Sequence, residues 1–249
     1  MRLLAALAVV ILSGCAGETQ PDRPVPQGDT ADSQLRLEAR PQGGAKPCAA
    51  GEHELRVTPD RRALMRVTRR SNGQPPALLV ALHGAGSGGA PGGLYAFRGA
   101  WGVPGLVIVA PAAAGSAWTL GEVDVRFVDL VLERAFARCR VDPRRVAIGG
   151  FSSGAGMALW LGLANGDLFR GVIALSGGGS LPGVRVGKPH VFVAHGLRDQ
   201  VVPIELGGDE VVRRLRRDGY RVTYRRFAAG HRVVPAIALT AVVATLQKG

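Results

Sequence analysis

The sequence predicts an α/β fold, a mostly parallel central sheet covered by helices on both faces. Three observations carry this expectation. First, short runs are apolar throughout, His190 apart: Ala77 to Leu82, Leu106 to Ala110, Val146 to Gly149, Gly171 to Leu175 and His190 to Ala194. A strand with no polar alternation is one buried on both sides, as in a parallel sheet. Second, helical stretches lie between and after these runs, around Val123 to Cys139, Ser153 to Ala164, Glu205 to Asp218 and His231 to Gln247. Strand–helix alternation is the pattern of a doubly covered sheet. Third, about 200 residues remain beyond the N-terminal region, enough for one domain with a sizeable core.

The first fifteen residues stand apart. Arg2 supplies a positive charge, Leu3 to Leu12 form an apolar core, and Leu12-Ser13-Gly14-Cys15 follows. That core is too short to span a bilayer and has the proportions of a secretory leader. Leu12-Ser13-Gly14-Cys15 resembles a bacterial lipobox. The resemblance implies that residues 1–14 are a signal peptide and that Cys15 is the lipidated first residue of an exported, membrane-anchored chain. An ordinary cleaved leader is the alternative. Ala16 to Pro47 is rich in Pro, Gln, Gly and Asp, with Val25, Leu35 and Leu37 as its larger apolar residues. Residues 15–47 therefore read as a flexible tether with a reach of roughly 30 Å, and 48–249 as the folded domain.

The domain opens with a hairpin, His53 to Thr58 and Ala63 to Thr68, turned at Thr58-Pro59-Asp60. The parallel strands follow, and a last one runs from Arg221 to Phe227. Ligands of such sheets bind at the carboxyl ends of the strands, so the residues just past each strand matter most. Those are His83-Gly84-Ala85-Gly86, then Ser152, then His195-Gly196-Leu197-Arg198-Asp199, then Gly230-His231.

Gly150-Phe151-Ser152-Ser153-Gly154 has the G-x-S-x-G form of a strained strand-to-helix turn that lifts a serine hydroxyl into a pocket. With 36 glycines in 249 residues the pattern alone is weak. Its context is what counts, a buried strand before it and an apolar helix after it, ended by Asn165-Gly166. A serine is a poor nucleophile unless a base lies in hydrogen-bond reach and a third group orients that base. Ser152 is the candidate nucleophile, His231 the candidate base and Asp199 the candidate acid. Asp167, Asp209 and Asp218 compete as acids but read as exposed helix-end residues. Among the other histidines, His195 reads as structural and His83 as a hydrogen-bonding residue of the Gly-rich loop. His53 and His190 have no evident partner.

These stretches, together with Val141-Asp142-Pro143-Arg144-Arg145-Val146 and Ile173-Ala174-Leu175-Ser176-Gly177-Gly178, resemble the serine esterases of the α/β-hydrolase superfamily. The resemblance is to the phospholipase/carboxylesterase (acyl-protein thioesterase-like) group, near exported polyhydroxybutyrate depolymerases and feruloyl esterases. It implies hydrolysis of a small-molecule or polymer-linked ester through an acyl-enzyme. It also implies an oxyanion hole made by the Ala85 and Ser153 backbone N–H groups. A binding protein that keeps the fold without the chemistry is the competing class. Neither the Asp199–His231 gap nor the Gly177–Lys188 gap is long enough for a cap domain. An open, shallow pocket is therefore expected, walled by residues such as Trp118, Leu120, Leu181 and Val202 and favouring short acyl chains.

The formal charge of +12 invites a nucleic-acid reading. However, Lys46, Lys188 and Lys248 are the only lysines, and the arginines are scattered apart from Arg213, Arg214, Arg216 and Arg217. No nucleic-acid motif accompanies them, so solvated faces are the reading. Metal-ligand spacings and nucleotide loops do not occur, and neither metal nor cofactor is expected. Cys48 and Cys139 form an even pair in an exported domain, either a disulfide or two buried thiols. Oligomeric state is not legible.

Overall fold

The computed structural model describes residues 35–42, 46–69 and 73–246; the leader and Cys15 lie outside them. Eight strands form one sheet: β1 (Gly51–Arg56), β2 (Arg62–Val67), β3 (Ala77–Leu82), β4 (Leu106–Pro111), β5 (Val146–Phe151), β6 (Gly171–Leu175), β7 (His190–Gly196) and β8 (Val222–Phe227). Their order is β1-β2-β4-β3-β5-β6-β7-β8. The β1–β2 and β2–β4 pairs are antiparallel, and all pairs from β4 to β8 are parallel. The helices are α1 (Ala90–Ala96), α2 (Glu122–Arg138), α3 (Ser153–Ala164), α4 (Gly208–Arg217) and α5 (Pro235–Leu246), with a short 3₁₀ turn at Arg98–Ala100.

Side-chain alternation along β3 shows why its sequence is apolar throughout. Leu78, Val80 and Leu82 join the core under α2, α3 and α4, while Ala77, Leu79 and Ala81 join the core under α1 and α5. The chain leaves β3 for β4 on one side and returns to β5 on the other. That reversal opens a crevice at the carboxyl ends of β3 and β5.

Two expectations change, at the start of the domain and at the last helix. The domain begins before residue 48: Leu35, Leu37 and Ala39 are buried in the main core. The Leu37 N–H donates to Asn165 Oδ1 at 2.9 Å, and the Glu38 and Ala39 N–H groups donate to Asp129 Oδ1. Arg36 and Arg40 both pair with Asp167. This segment is a docked strap rather than tether, because two leucines and three backbone donors find partners on α2 and at the end of α3. The Gly-rich stretch between β3 and β4 contains α1, where helix propensity is overridden by packing. A Cβ at Gly93 would lie 2.4 Å from the Ala81 carbonyl, so a glycine lets this helix sit against β3. The last helix starts at Pro235 rather than at His231. Proline is suited to a first helical turn and disfavours helix in the residue before it, which leaves 228–234 as a loop.

Cys48 and Cys139 are joined by a disulfide with Cα atoms 5.1 Å apart, which ties the entry of β1 to the end of α2.

Candidate active site

Ser152 sits between β5 and α3 with φ 54° and ψ −119°, a strained conformation for a residue with a side chain. The turn is tight because two glycines permit it. A Cβ on Gly150 would come within 2.3 Å of the Gly154 backbone, and one on Gly154 within 2.4 Å of the His83 carbonyl. The Ser152 N–H donates to the Leu175 carbonyl, which fixes the turn to β6.

The structure brings three of the predicted residues into one hydrogen-bonded line. His231 Nε2 lies 2.9 Å from Ser152 Oγ, and its Nδ1 lies 2.8 Å from Asp199 Oδ2. With Nδ1–H donating to the carboxylate, Nε2 carries no proton and can accept that of the serine. The His231 ring also leans on Phe151, with centroids 4.8 Å apart. Asp199 is buried, and its Oδ1 accepts the Val201 and Val202 N–H groups at 3.0 and 2.9 Å. Burial works against its ionisation. The N–H donors of Val202, the His231 imidazole and Val201 outweigh burial and hold its carboxyl below the usual range. Asp199 thus stays anionic beside the imidazole.

The loop after β3 is built around His83. Its Nδ1 donates to the Gly84 carbonyl at 2.8 Å, and its Nε2 accepts the Ala113 N–H at 3.0 Å. Trp118 Nε1 donates to the His83 carbonyl, and the Gly86 N–H donates to the Ser116 carbonyl. Among the described residues, neither the Ala85 nor the Ser153 N–H has a hydrogen-bond partner, so both can serve an incoming oxyanion. Ser153 opens α3, where the helix dipole favours negative charge. Of the expected pocket walls, Trp118 is buried as the strut just described and Leu181 is buried in the core, whereas Leu120 is exposed. Val202 borders Gly178 and Gly207.

The competing acids are all engaged elsewhere. Asp167 holds the strap, Asp218 pairs with Arg185, and Asp209 accepts from Tyr224 and Arg226. His53 bonds the Ala49 carbonyl, and His190 bonds Thr223 and faces the Ala244 carbonyl, both away from Ser152. Sequence reasoning missed Asp124, read only as part of a helix. It is wholly buried and accepts from the Ala114 and Thr119 N–H groups, Thr119 Oγ1 and Arg61. An acid in the first turn after a small-residue loop was its one signal. Among the described residues there is no cluster of groups that could hold a metal ion.

Fold and site together define a protein of α/β-hydrolase fold with a Ser–His–Asp line at the carboxyl edge of its sheet. Residues 124–241, slightly under half of the chain, match the family described as phospholipase/carboxylesterase. Acyl-protein thioesterase 1 of Saccharomyces cerevisiae is 40% identical over 76 residues, covering 27% of this chain and 33% of that protein. The chain therefore matches about a third of the length of that curated relative. Among solved structures, esterase PE8 superposes with TM-score 0.59 at 23% identity, covering 72% of this chain and 94% of that one. The fluorophosphonate-binding serine hydrolase F of Staphylococcus aureus gives TM-score 0.66 at 14% identity, covering 82% and 100%. A ferulic acid esterase from Anaeromyces mucronatus gives 0.62 at 16% identity, covering 82% and 93%. At these identities the superpositions establish the fold.

Proposed function

We propose that this chain belongs to the phospholipase/carboxylesterase family and hydrolyses carboxylic esters through an acyl-enzyme. The observation that carries the reading is the continuous Ser152–His231–Asp199 line beside two unengaged N–H donors. Ser152 Oγ attacks the ester carbonyl as His231 Nε2 takes its proton. The tetrahedral oxyanion lies against the Ala85 and Ser153 N–H groups, and His231 returns the proton to the departing alcohol. Water repeats the cycle on the acyl-enzyme, releasing the acid. Asp199 keeps His231 in the productive tautomer and supports the imidazolium.

Leu197, Val201 and Leu206, in the segment that carries Asp199, keep much of their side chains in solvent. Such apolar surface on the segment that carries the triad acid supports a substrate with an apolar portion. The connections after β6 and β7 carry no inserted domain among the described residues, which supports an open site and short acyl chains.

The resemblance of Leu12-Ser13-Gly14-Cys15 to a lipobox supports export and a lipid anchor at Cys15. Mass spectrometry of the mature N-terminus then finds acylated Cys15; an unmodified N-terminus at another residue would refute the anchor. For the chemistry, Ser152→Ala abolishes ester turnover while Ser153→Ala keeps much of it. Removing one member of such a triad costs several orders of magnitude in kcat. Turnover that persists in Ser152→Ala overturns the assignment.

A further inference from the structure

We propose that His195 is a positioning residue for the acid of the triad: a second imidazole that fixes the Asp199 carboxylate on which His231 depends. The inference rests on the serine-hydrolase reading above. His195 is wholly buried at the carboxyl end of β7, two places before the loop that carries Asp199 begins to turn back. Its Nδ1 accepts the Gly208 N–H at 3.2 Å, from the first residue of α4. A nitrogen that accepts carries no proton, so the ring proton sits on Nε2. That Nε2–H donates to the Val202 carbonyl at 2.8 Å, and Nε2 lies 3.3 Å from Asp199 Oδ2.

One ring therefore spans both ends of the 199–202 turn. Asp199 Oδ1 is held from the other side by the Val201 and Val202 N–H groups, while Oδ2 accepts from His231 and faces His195 Nε2 at 3.3 Å. Oδ1 thus has two donors and Oδ2 one, with the His195 ring edge beside it, and rotation about the Asp199 side chain would break several bonds at once. The ring packs closely against the two glycines at the start of α4. A Cβ at Gly207 would come within 2.6 Å of His195 Cε1, and one at Gly208 within 2.8 Å of His195 Cβ. The backbone of β7 is in turn registered on β8, with His195 opposite Arg226. The acid stands on a loop, and His195 connects it to the rigid sheet. This is the support that a reacting group needs when a displacement of about 1 Å costs on the order of 100-fold in rate.

The test compares His195→Leu, which removes the donor and keeps the bulk, with His195→Gln, whose amide N–H restores one. Turnover of a short nitrophenyl ester is normalised to active sites titrated with a phosphonate, and the low-field Nδ1 proton of His231 is followed by NMR on histidine-labelled protein. The expected result for His195→Leu is a loss of kcat on the order of tenfold with KM little changed, and an upfield move of the His231 proton. His195→Gln recovers most of both. A merely structural role predicts instead that both variants lose thermal stability alike while kcat per titrated site and the His231 resonance stay at wild-type values; that result overturns the proposal. Should His195→Leu fail to fold, the nitrogen spectrum of the wild-type protein decides: protonation of His195 at Nε2 supports the arrangement, and protonation at Nδ1 overturns it. Ser152→Ala, run alongside, isolates the underlying reading, since turnover that survives there refutes the nucleophile whatever His195 does.

Discussion

Asp124→Asn is the substitution that connects the buried core to catalysis most directly. The carboxylate is wholly buried, and each oxygen takes two donors: Oδ1 from the Ala114 N–H at 2.8 Å and Arg61 at 3.3 Å, Oδ2 from the Thr119 N–H at 3.0 Å and Thr119 Oγ1 at 3.1 Å. An asparagine offers one acceptor oxygen and turns an NH₂ toward the other pair. If that NH₂ faces Thr119, its hydroxyl can rotate to accept, but the Thr119 N–H meets a donor. If it faces Ala114, both the Ala114 N–H and Arg61 do. Breaking a buried pair by removing one partner costs about 3–5 kcal/mol. Arg61 is 19% exposed and its bond is long, which places the loss near the lower end, about 3 kcal/mol. The consequence for function follows from what the 112–119 loop carries. Ala113, Ser116 and Trp118 hold the His83–Gly86 loop, and so the Ala85 N–H. Deleting an oxyanion donor costs about 100- to 1,000-fold in kcat. Loosening one rather than deleting it should cost about 10- to 100-fold, with KM nearly unchanged. Urea denaturation gives the stability, and ester turnover per phosphonate-titrated site gives the rate. A variant destabilised by that amount yet turning over at the wild-type kcat would refute the idea that Asp124 acts through the oxyanion loop.

Two further outcomes follow from the strap and from the open site. The Arg36 bond, with help from Arg40, depresses the Asp167 carboxyl far below its ordinary range. A depressed carboxylate contributes stability above its unfolded value of about 3.9, and that contribution is lost as pH falls below it. Asp167→Asn should therefore lower the stability near pH 7 by up to about 1 kcal/mol, the scale of a part-exposed ion pair, and the gap should close below about pH 4. A gap that widens on acidification contradicts this sign. In a nitrophenyl ester series, specificity constants should peak at short acyl chains, because a shallow site captures little of the roughly 0.8 kcal/mol available per buried methylene. Constants still rising beyond about ten carbons would contradict the open pocket.

Much of the architecture was legible because it is encoded locally. Runs such as Leu78-Leu79-Val80-Ala81-Leu82 declare a strand buried on both faces, and the order of Ser152, Asp199 and His231 at successive strand ends points to one site. What escaped was encoded by partners far away in sequence. Leu35 and Leu37 look like isolated apolar residues in polar chain until Asn165 and Asp129 are brought beneath them. The helix at residues 90–96 was not legible because Gly92 and Gly93 are poor helix formers, yet close approach to Ser87 and Ala81 calls for them. His195 read as structural because it precedes the acid in a tight His-Gly turn; its approach to Asp199 is set by the turn at Val201 and Val202, which spacing alone does not show.

The central claim is that Ser152 is the nucleophile of a competent triad. Labelling the native protein with a fluorophosphonate and mapping the adduct by peptide mass spectrometry tests it most directly. The account predicts one adduct, on Ser152, that forms in Ser153→Ala, disappears in Ser152→Ala and is strongly slowed in His231→Ala. An adduct on Ser153 or Ser176, or labelling undiminished in Ser152→Ala, would contradict it.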